Sequence, residues 1–422
     1  NLIQDQTMSL EIKLNKATLN VQVKNQQEPI LSLDQIRQYI QKISRDLLEY
    51  WISRQQEVCL NKRLGAPWMR LASDDISLGC PQCGSINLQR KSWRTRKISL
   101  HGLGKLSLGR RQLRCGDCRH CWMPFKEALK LPGGAYDSKS ISKGIDLAAE
   151  QSYKKAGEHD PEGPSGSTIH RAIQQLSPPE VPKEAATVAV DATKVPRWRR
   201  TGQVTVGIIH EIGPKQPTTS KKERPKRRKR CLLGVLGGKE ADITSKLEPL
   251  KIRALVHDGN LKLEGQADYV GRCRWHVPYT AKYLLYHDHI RGEDNKKRVE
   301  RLKSTIETHK KDPDGLKEHL DKWIDQNSDA PVACTHVKNS QQALLTMSRY
   351  ADEFTTHTTS HMEREMVEIN KRFENGGGWT PQGAENLLWL HQLKRFEPQK
   401  YTKTKQELIN QVAFSKKRNS QT

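Results

Sequence analysis

Apolar positions along the chain change period several times, and each change marks an element. Met8, Leu10, Ile12 and Leu14, then Leu19, Val21 and Val23, alternate with polar residues. That period of two predicts a β-hairpin. From Leu33 the spacing becomes Ile36, Ile40, Ile43, Leu47 and Trp51, one face of a helix reaching about Val58. Ile98, Leu100, Leu106 and Leu108 flank Gly102-Leu103-Gly104, a second alternating hairpin. Ile141, Ile145, Leu147 and Ala148 predict a helix. Ile169, Ile173 and Leu176 predict another, with Ser167 as its N-cap. Between 186 and 270 lie continuous apolar runs at 187–190, 204–209, 232–236 and 252–256, the pattern of buried strands. Charged helices follow over 285–350, broken at Asp312-Pro313-Asp314-Gly315. Met362, Met366, Ile369 and Phe373 stripe a further helix, followed by a glycine run and more helix to about 395. Residues 415–422 read as a loose polar end.

Composition narrows the class. The 422 residues carry 72 Lys plus Arg against 48 Asp plus Glu, a formal charge of +24. A balance this positive points to a polyanionic partner. No run of 18 apolar residues exists, so no membrane span is expected, and the start lacks an apolar secretory core. Nine cysteines, mostly in CxxC pairs, suit metal in a reducing compartment better than a disulfide framework.

Cys80-Pro-Gln-Cys83 and Cys115-Gly-Asp-Cys118 are two knuckles separated by the second hairpin. This is the pattern of a zinc ribbon with a tetrahedral structural Zn²⁺. Cys121 extends the second knuckle to CxxCxxC, which leaves the fourth ligand open between Cys118 and Cys121, with His120 a weaker candidate. The hairpin also carries Arg94, Arg96, Lys97, Arg110, Arg111 and Arg114, with Trp93 and Trp122 among them, side chains suited to phosphate contact. On the helix after Ser167, His170 and Arg171 face away from the apolar stripe, as in a helix-turn-helix that reads a major groove.

The acids form the third constellation. The run 187–190 ends at Asp191, and the run 252–256 delivers His257-Asp258-Gly259, so two carboxylates are presented at strand ends. A carboxylate there needs compensation for lost solvation. Glu363 borders the apolar stripe of the 360–370 helix, with Glu365 further round. Two strand aspartates and a helix glutamate make an RNase H-like triad whose hard oxygen ligands suit Mg²⁺. The helices of 286–350 would be an insertion between the second and third acids. The segment Arg197, Trp198, Arg199 and Arg200, and the cationic run Lys226, Arg227, Arg228, Lys229 and Arg230, would grip backbone near the cut.

Asp191-Ala-Thr, His257-Asp258-Gly259, Cys273-Arg-Trp-His276, Met362-Glu363-Arg364 through Asn370-Lys-Arg, and Gly378-Trp379-Thr-Pro-Gln-Gly-Ala-Glu-Asn-Leu-Leu resemble the signatures of Mutator-like bacterial insertion-sequence DDE transposases, over about residues 130–395. An N-terminal zinc ribbon is similar to that of some branches only. The resemblance implies that Asp191, Asp258 and Glu363 bind two Mg²⁺ or Mn²⁺ ions, although Glu365, Glu368 and Glu385 crowd the third position. Cys273 and His276 match the family's CxxH element, for which a local structural role or contact with a DNA flap is expected ahead of metal binding. It implies binding of double-stranded transposon ends and target DNA, cleavage and 3′-OH joining, a homodimer or larger assembly, no membrane, and a bacterial cytoplasmic, DNA-associated location. The alternatives are a non-catalytic zinc-ribbon DNA-binding regulator and an RNase H-like nuclease that does not join strands.

The expected architecture is thus α/β and multidomain. It comprises an N-terminal hairpin and helix (1–79), zinc ribbon (80–130), helix-turn-helix-like unit (131–180), RNase H-like catalytic domain (181–285 and 351–400), α-helical insertion (286–350) and C-terminal tail (401–422).

Overall fold

The computed structural model describes residues 7–14, 17–24, 33–64, 79–124, 135–160, 163–198, 201–215, 228–259, 263, 265–374 and 377–414. The chain divides into two compact units, Asn1–Asp137 and Ser138–Thr422.

In the first unit β1 (Thr7–Leu14) and β2 (Ala17–Lys24) form an antiparallel hairpin. Helix α1 (Leu33–Leu64) follows, one turn and a half longer than its apolar period suggests. Strands β3 (Leu88–Leu100), β4 (Gly104–Cys115) and the short β5 (Cys121–Trp122) make an antiparallel sheet in that order. Gly102 and Gly104 both have φ +79°, which lets the chain reverse where a side chain would be strained. Ile98, Leu106 and Leu108 are buried, and Leu48 and Ile52 of α1 cover them. Gln56 is fully buried against β4. Its amide donates to the Gly109 carbonyl (2.8 Å) and accepts from the Arg111 N–H (3.0 Å). The division expected between 1–79 and 80–130 therefore does not separate α1 from the ribbon. A hairpin this small needs the helix to bury its apolar face.

The second unit opens with α2 (Ser138–Ala148), α3 (Tyr153–Glu158) and α4 (Gly166–Ile173). The cap of α4 is Ser165, whose hydroxyl accepts from Thr168 N–H, rather than Ser167. A five-stranded mixed sheet follows: β6 (Glu184–Pro196), β7 (Gln203–Ile212), β8 (Arg230–Gly238), β9 (Lys251–His257) and β10 (Tyr269–Arg272). Its spatial order is β10-β9-β6-β7-β8. The first three strands are an antiparallel meander; β9 runs parallel to β6, and β10 parallel to β9. Short α5 (Asp242–Leu247) crosses from β8 to β9 and buries Ile243 and Leu247 among Val188, Val190, Leu236 and Leu255.

After β10 come α6 (His276–His287), α7 (Gly292–Thr308), α8 (Pro313–Gln326) and α9 (Pro331–Arg349). Asp312 caps α8 by accepting from Gly315 N–H. These four helices share an apolar core that includes Val277, Leu302, Leu316, Trp323 and Val337. The helical layer thus starts at α6, ahead of the expected boundary at 286. Helix α10 (Ser360–Glu374) packs on β6, and α11 (Pro381–Phe396) on β7 and β8.

Helix α12 (Pro398–Phe414) corrects the reading of 401–414 as a tail, while 415–422, expected to be a loose end, lie outside the described residues. Tyr401 and Leu408 are buried, and Lys405 bridges to Asp146 of α2 at 3.0 Å. Asn386 of α11 likewise bonds the Ile173 and Gln174 carbonyls. The helical segment from Ser138 is thereby built into the same unit as the sheet.

Candidate functional site

The acids are placed by strand register. On one side β6 stays paired with β7 well past Asp191, which lies opposite Ile208. On the other, its pairing with β9 stops at Ala189 opposite Val256. Asp191 and Asp258 each lie two residues beyond that last pair. Asp191 is therefore in mid-strand, not at the strand end expected from the apolar run, but at the point where its neighbour on one side has turned away. Gly259 makes that turn at φ +100°, and a Cβ there would lie 2.0 Å from the Arg272 guanidinium carbon. Arg272, half-buried, feels the charge of Asp258.

Asp191 is only 5% exposed. Its Oδ1 accepts from the Ala192 N–H (2.8 Å), while its Oδ2 is buried with no hydrogen-bond partner among the described residues. Burial first, then the charges of Asp258 and Glu363, push its carboxyl up to about 7, against the Ala192 N–H and His276. The three acids thus share one electrostatic neighbourhood.

Glu363 sits in the first turn of α10, half-exposed, with a carboxylate oxygen 2.8 Å from His276 Nε2. His276 Nδ1 is 3.1 Å from Thr359 Oγ1, and the Thr359 N–H donates to Cys273 Sγ (3.2 Å). Burial alone would keep this imidazole neutral. Its bonds to Cys273 and Glu363 outweigh burial and push it up to about 10. The CxxH pair therefore ties the end of β10 to the start of α10 and holds Glu363. Thr359, 86 residues beyond Cys273, is the member that no sequence spacing signals.

The other glutamates are committed elsewhere. Glu365 is 3% exposed and pairs with Arg395 (2.9 Å) and Arg230 (3.5 Å), so its expected place further round the helix is corrected to the interior. Glu368 pairs with Lys371, and Glu385 with Lys246.

In the first unit, Cys80, Cys83, Cys115 and Cys118 bring their sulfurs within 4.8 Å of one another. Cys80 and Cys118 are 3.4 Å apart, and Cys83 and Cys115 3.6 Å. A tetrahedron with metal–sulfur bonds of about 2.3 Å has edges of about 3.8 Å, so this set could hold a structural metal such as zinc. The Cys118 N–H lowers the Cys115 thiol to about 6, aided by the Asp117 N–H and against burial. Cys121 lies outside the set, facing Lys91 and the Arg119 carbonyl, and so does His120. Among the described residues no carboxylate cluster closes as tightly as this one.

The basic residues divide. Arg94 and Lys97 are exposed, and Arg94 lies directly across from Arg110 in the β3–β4 register. Arg96, Arg110 and Arg114 are half-buried. Arg111 is occupied internally: it pairs with Glu57 (2.6 Å) and lies over the Trp93 ring (4.4 Å). His170 and Arg171 are exposed on α4, and Arg197 and Trp198 are exposed after β6. Lys229 is exposed and Arg228 half-buried. Arg230 faces inward, to Glu365, the His361 carbonyl and the Phe396 ring. Arg199, Arg200, Lys226 and Arg227 lie outside the described residues. Arg228 lines a cleft of about 850 Å³ with Arg274, Lys310 and Arg364, a cationic grouping spread over 137 positions of sequence and invisible to local spacing.

No family model and no curated protein matches this chain. No described helix is long and apolar enough to cross a membrane.

Proposed function

We propose that this protein is a DDE-type DNA transposase that cuts transposon ends and joins the freed 3′-OH to target DNA. The observation that carries the reading is that the charges of Asp258 and Glu363 both act on the buried Asp191 carboxyl, on parallel strands β6 and β9 whose pairing ends two residues before Asp191 and Asp258. The sheet supports it. Numbered by appearance within the sheet, its strands lie in the order 5-4-1-2-3, with an antiparallel meander and two parallel additions, as an RNase H-like core would require.

Asp191, Asp258 and Glu363 would hold two Mg²⁺ or Mn²⁺ ions, and the orphaned, buried Oδ2 of Asp191 fits such a role. When bound, such ions supply Lewis acidity and lower the pKa of a coordinated water or hydroxyl. The chain's own part is positional. Pairing with β7 fixes Asp191, the end of β9 leads into Asp258, and His276 with Thr359 holds the third acid at the first turn of α10. Asp191 must lose its proton to serve as a ligand, which makes occupancy pH-dependent near neutrality. The four cysteines would hold Zn²⁺ and fix the hairpin that displays Arg94 and Lys97 to the terminal repeats. Two ends must be brought together, which calls for a homodimer or larger assembly.

The test uses DNA carrying the element's own ends with Mg²⁺. Wild type should cut and join, while Asp191→Asn, Asp258→Asn and Glu363→Gln bind but do neither. Wild type that binds and never cuts would make the protein a regulator; cutting without joining would make it a nuclease.

A further inference from the structure

Helix α6 begins at His276, beside Glu363, and carries a stripe of aromatic rings that the described residues leave half-exposed. Trp275, Tyr279, Tyr283 and Tyr286 are each between 43% and 52% exposed. Their spacing of four, four and three residues keeps them on one helix face. Trp275 stacks on Tyr279 (centroids 4.4 Å apart, planes at 19°), and Tyr279 meets Tyr283 edge-on at 5.2 Å. The Tyr283 hydroxyl donates to the Tyr279 hydroxyl (3.1 Å). Lys282 is exposed on the same face, and α6 contains no acidic residue. Large rings left half in water have an apolar face to offer, and here they are fixed against one another in advance.

We propose that this stripe is a stacking platform for unpaired nucleotides of the DNA strand that passes the carboxylate site. The proposal rests on the nucleic-acid reading above and adds where the single strand runs. Three features select this occupant. The stripe starts at the acids: Trp275 lies edge-on to His276 at 4.7 Å, and Tyr279 feels the charge of Glu363. The helix itself adds a cation, Lys282, and no acid to repel a phosphate backbone. Its length from Trp275 to Tyr286, at about 1.5 Å per residue, is about 16 Å, the span of about five stacked nucleotides at about 3.4 Å each. Every base has a π-face, so such a platform tolerates any sequence.

The experiment measures binding in EDTA, by fluorescence anisotropy, of a blunt duplex and of the same duplex with a single-stranded extension of about five thymidines. The extension should tighten binding by wild type. The Tyr279→Ala/Tyr283→Ala protein should lose roughly 10- to 100-fold in affinity for the extended DNA and bind the blunt duplex as wild type does. Tyr279→Phe/Tyr283→Phe should keep the gain. An extension without effect, or an equal loss on both DNAs, overturns the platform; if wild type still cuts end DNA, the carboxylate reading survives that result. A change in sedimentation of the alanine protein with DNA affinity intact would assign the rings to a protein contact instead. Wild type that binds neither DNA overturns both readings.

Discussion

His276 Nε2 lies 2.8 Å from a carboxylate oxygen of Glu363, and Thr359 and Cys273 hold the same imidazole from its other side. A ring fixed at several points orients an acid that is otherwise half in solvent. Replacing His276 by Ala should lower the rate of end cleavage by about 10- to 100-fold with little change in DNA affinity. A loss confined to affinity would assign His276 to the binding surface.

The same pair predicts a pH response. The folded-state pKa of His276, about 10, is above the ordinary value of about 6.5. Its contribution is fully present below about pH 6.5 and is lost as pH rises toward 10. Thermal unfolding of wild type should show that decline, and His276→Ala should flatten it. Parallel curves for the two proteins would contradict the assignment.

Asp191 works in the opposite sense. Its carboxyl is raised from 3.8 to about 7, so the folded state holds a proton that the unfolded chain releases. Without divalent ions, stability should fall as pH rises from about 4 to about 7. At about 1.4 kcal/mol per pH unit, the upper bound is about 4 kcal/mol. In EDTA at about pH 8, Asp191→Asn should therefore melt higher than wild type while losing all cleavage. A lower melting temperature would show that the carboxylate is already compensated within the protein.

For the cysteine set, metal analysis of the purified protein should find one zinc per chain. Cys80→Ser should lose the metal and the binding of end DNA, and Cys121→Ser should keep both. Full metal content in Cys80→Ser would relocate the ligands.

Glu365 and Glu363 are two residues apart and should behave as different kinds of residue. Glu365→Gln leaves Arg230 and Arg395 without their buried partner and should cost about 3–5 kcal/mol in urea unfolding. Glu363→Gln, at a half-exposed position, should cost under about 1 kcal/mol while abolishing cleavage. Equal destabilisation would remove the distinction.

The sequence displayed the parts of this fold that depend on local period: the Gly102–Gly104 hairpin, the four apolar strand runs and the α10 stripe. It also brought Asp191 and Asp258 forward, because an acid directly after an apolar run stands out. It misplaced Asp191 at a strand end because an apolar run measures burial by neighbours on the sheet faces. Pairing with β7 carries β6 on to Pro196 irrespective of that burial. It grouped Arg111 and Arg230 with the DNA-facing cations because a charge count is blind to partners. Glu57 and Glu365, which occupy them, are 54 and 135 positions away. Residues 401–414 looked like a tail because their apolar positions are sparse, and only Asp146 of a distant helix gives Lys405 a reason to lie down. The aromatic spacing on α6 was visible in the chain, but spacing alone does not tell a buried stripe from an exposed one.

On the β3–β4 hairpin Arg110 lies opposite Arg94 and feels the like charge of Arg96. The free protein carries that self-repulsion as a standing tension, which dissolved salt relieves. Ionic strength should therefore act on the hairpin in two opposite ways, firming it when alone and loosening its grip on a polyanion. A hairpin built like this is most comfortable when something negatively charged lies along it.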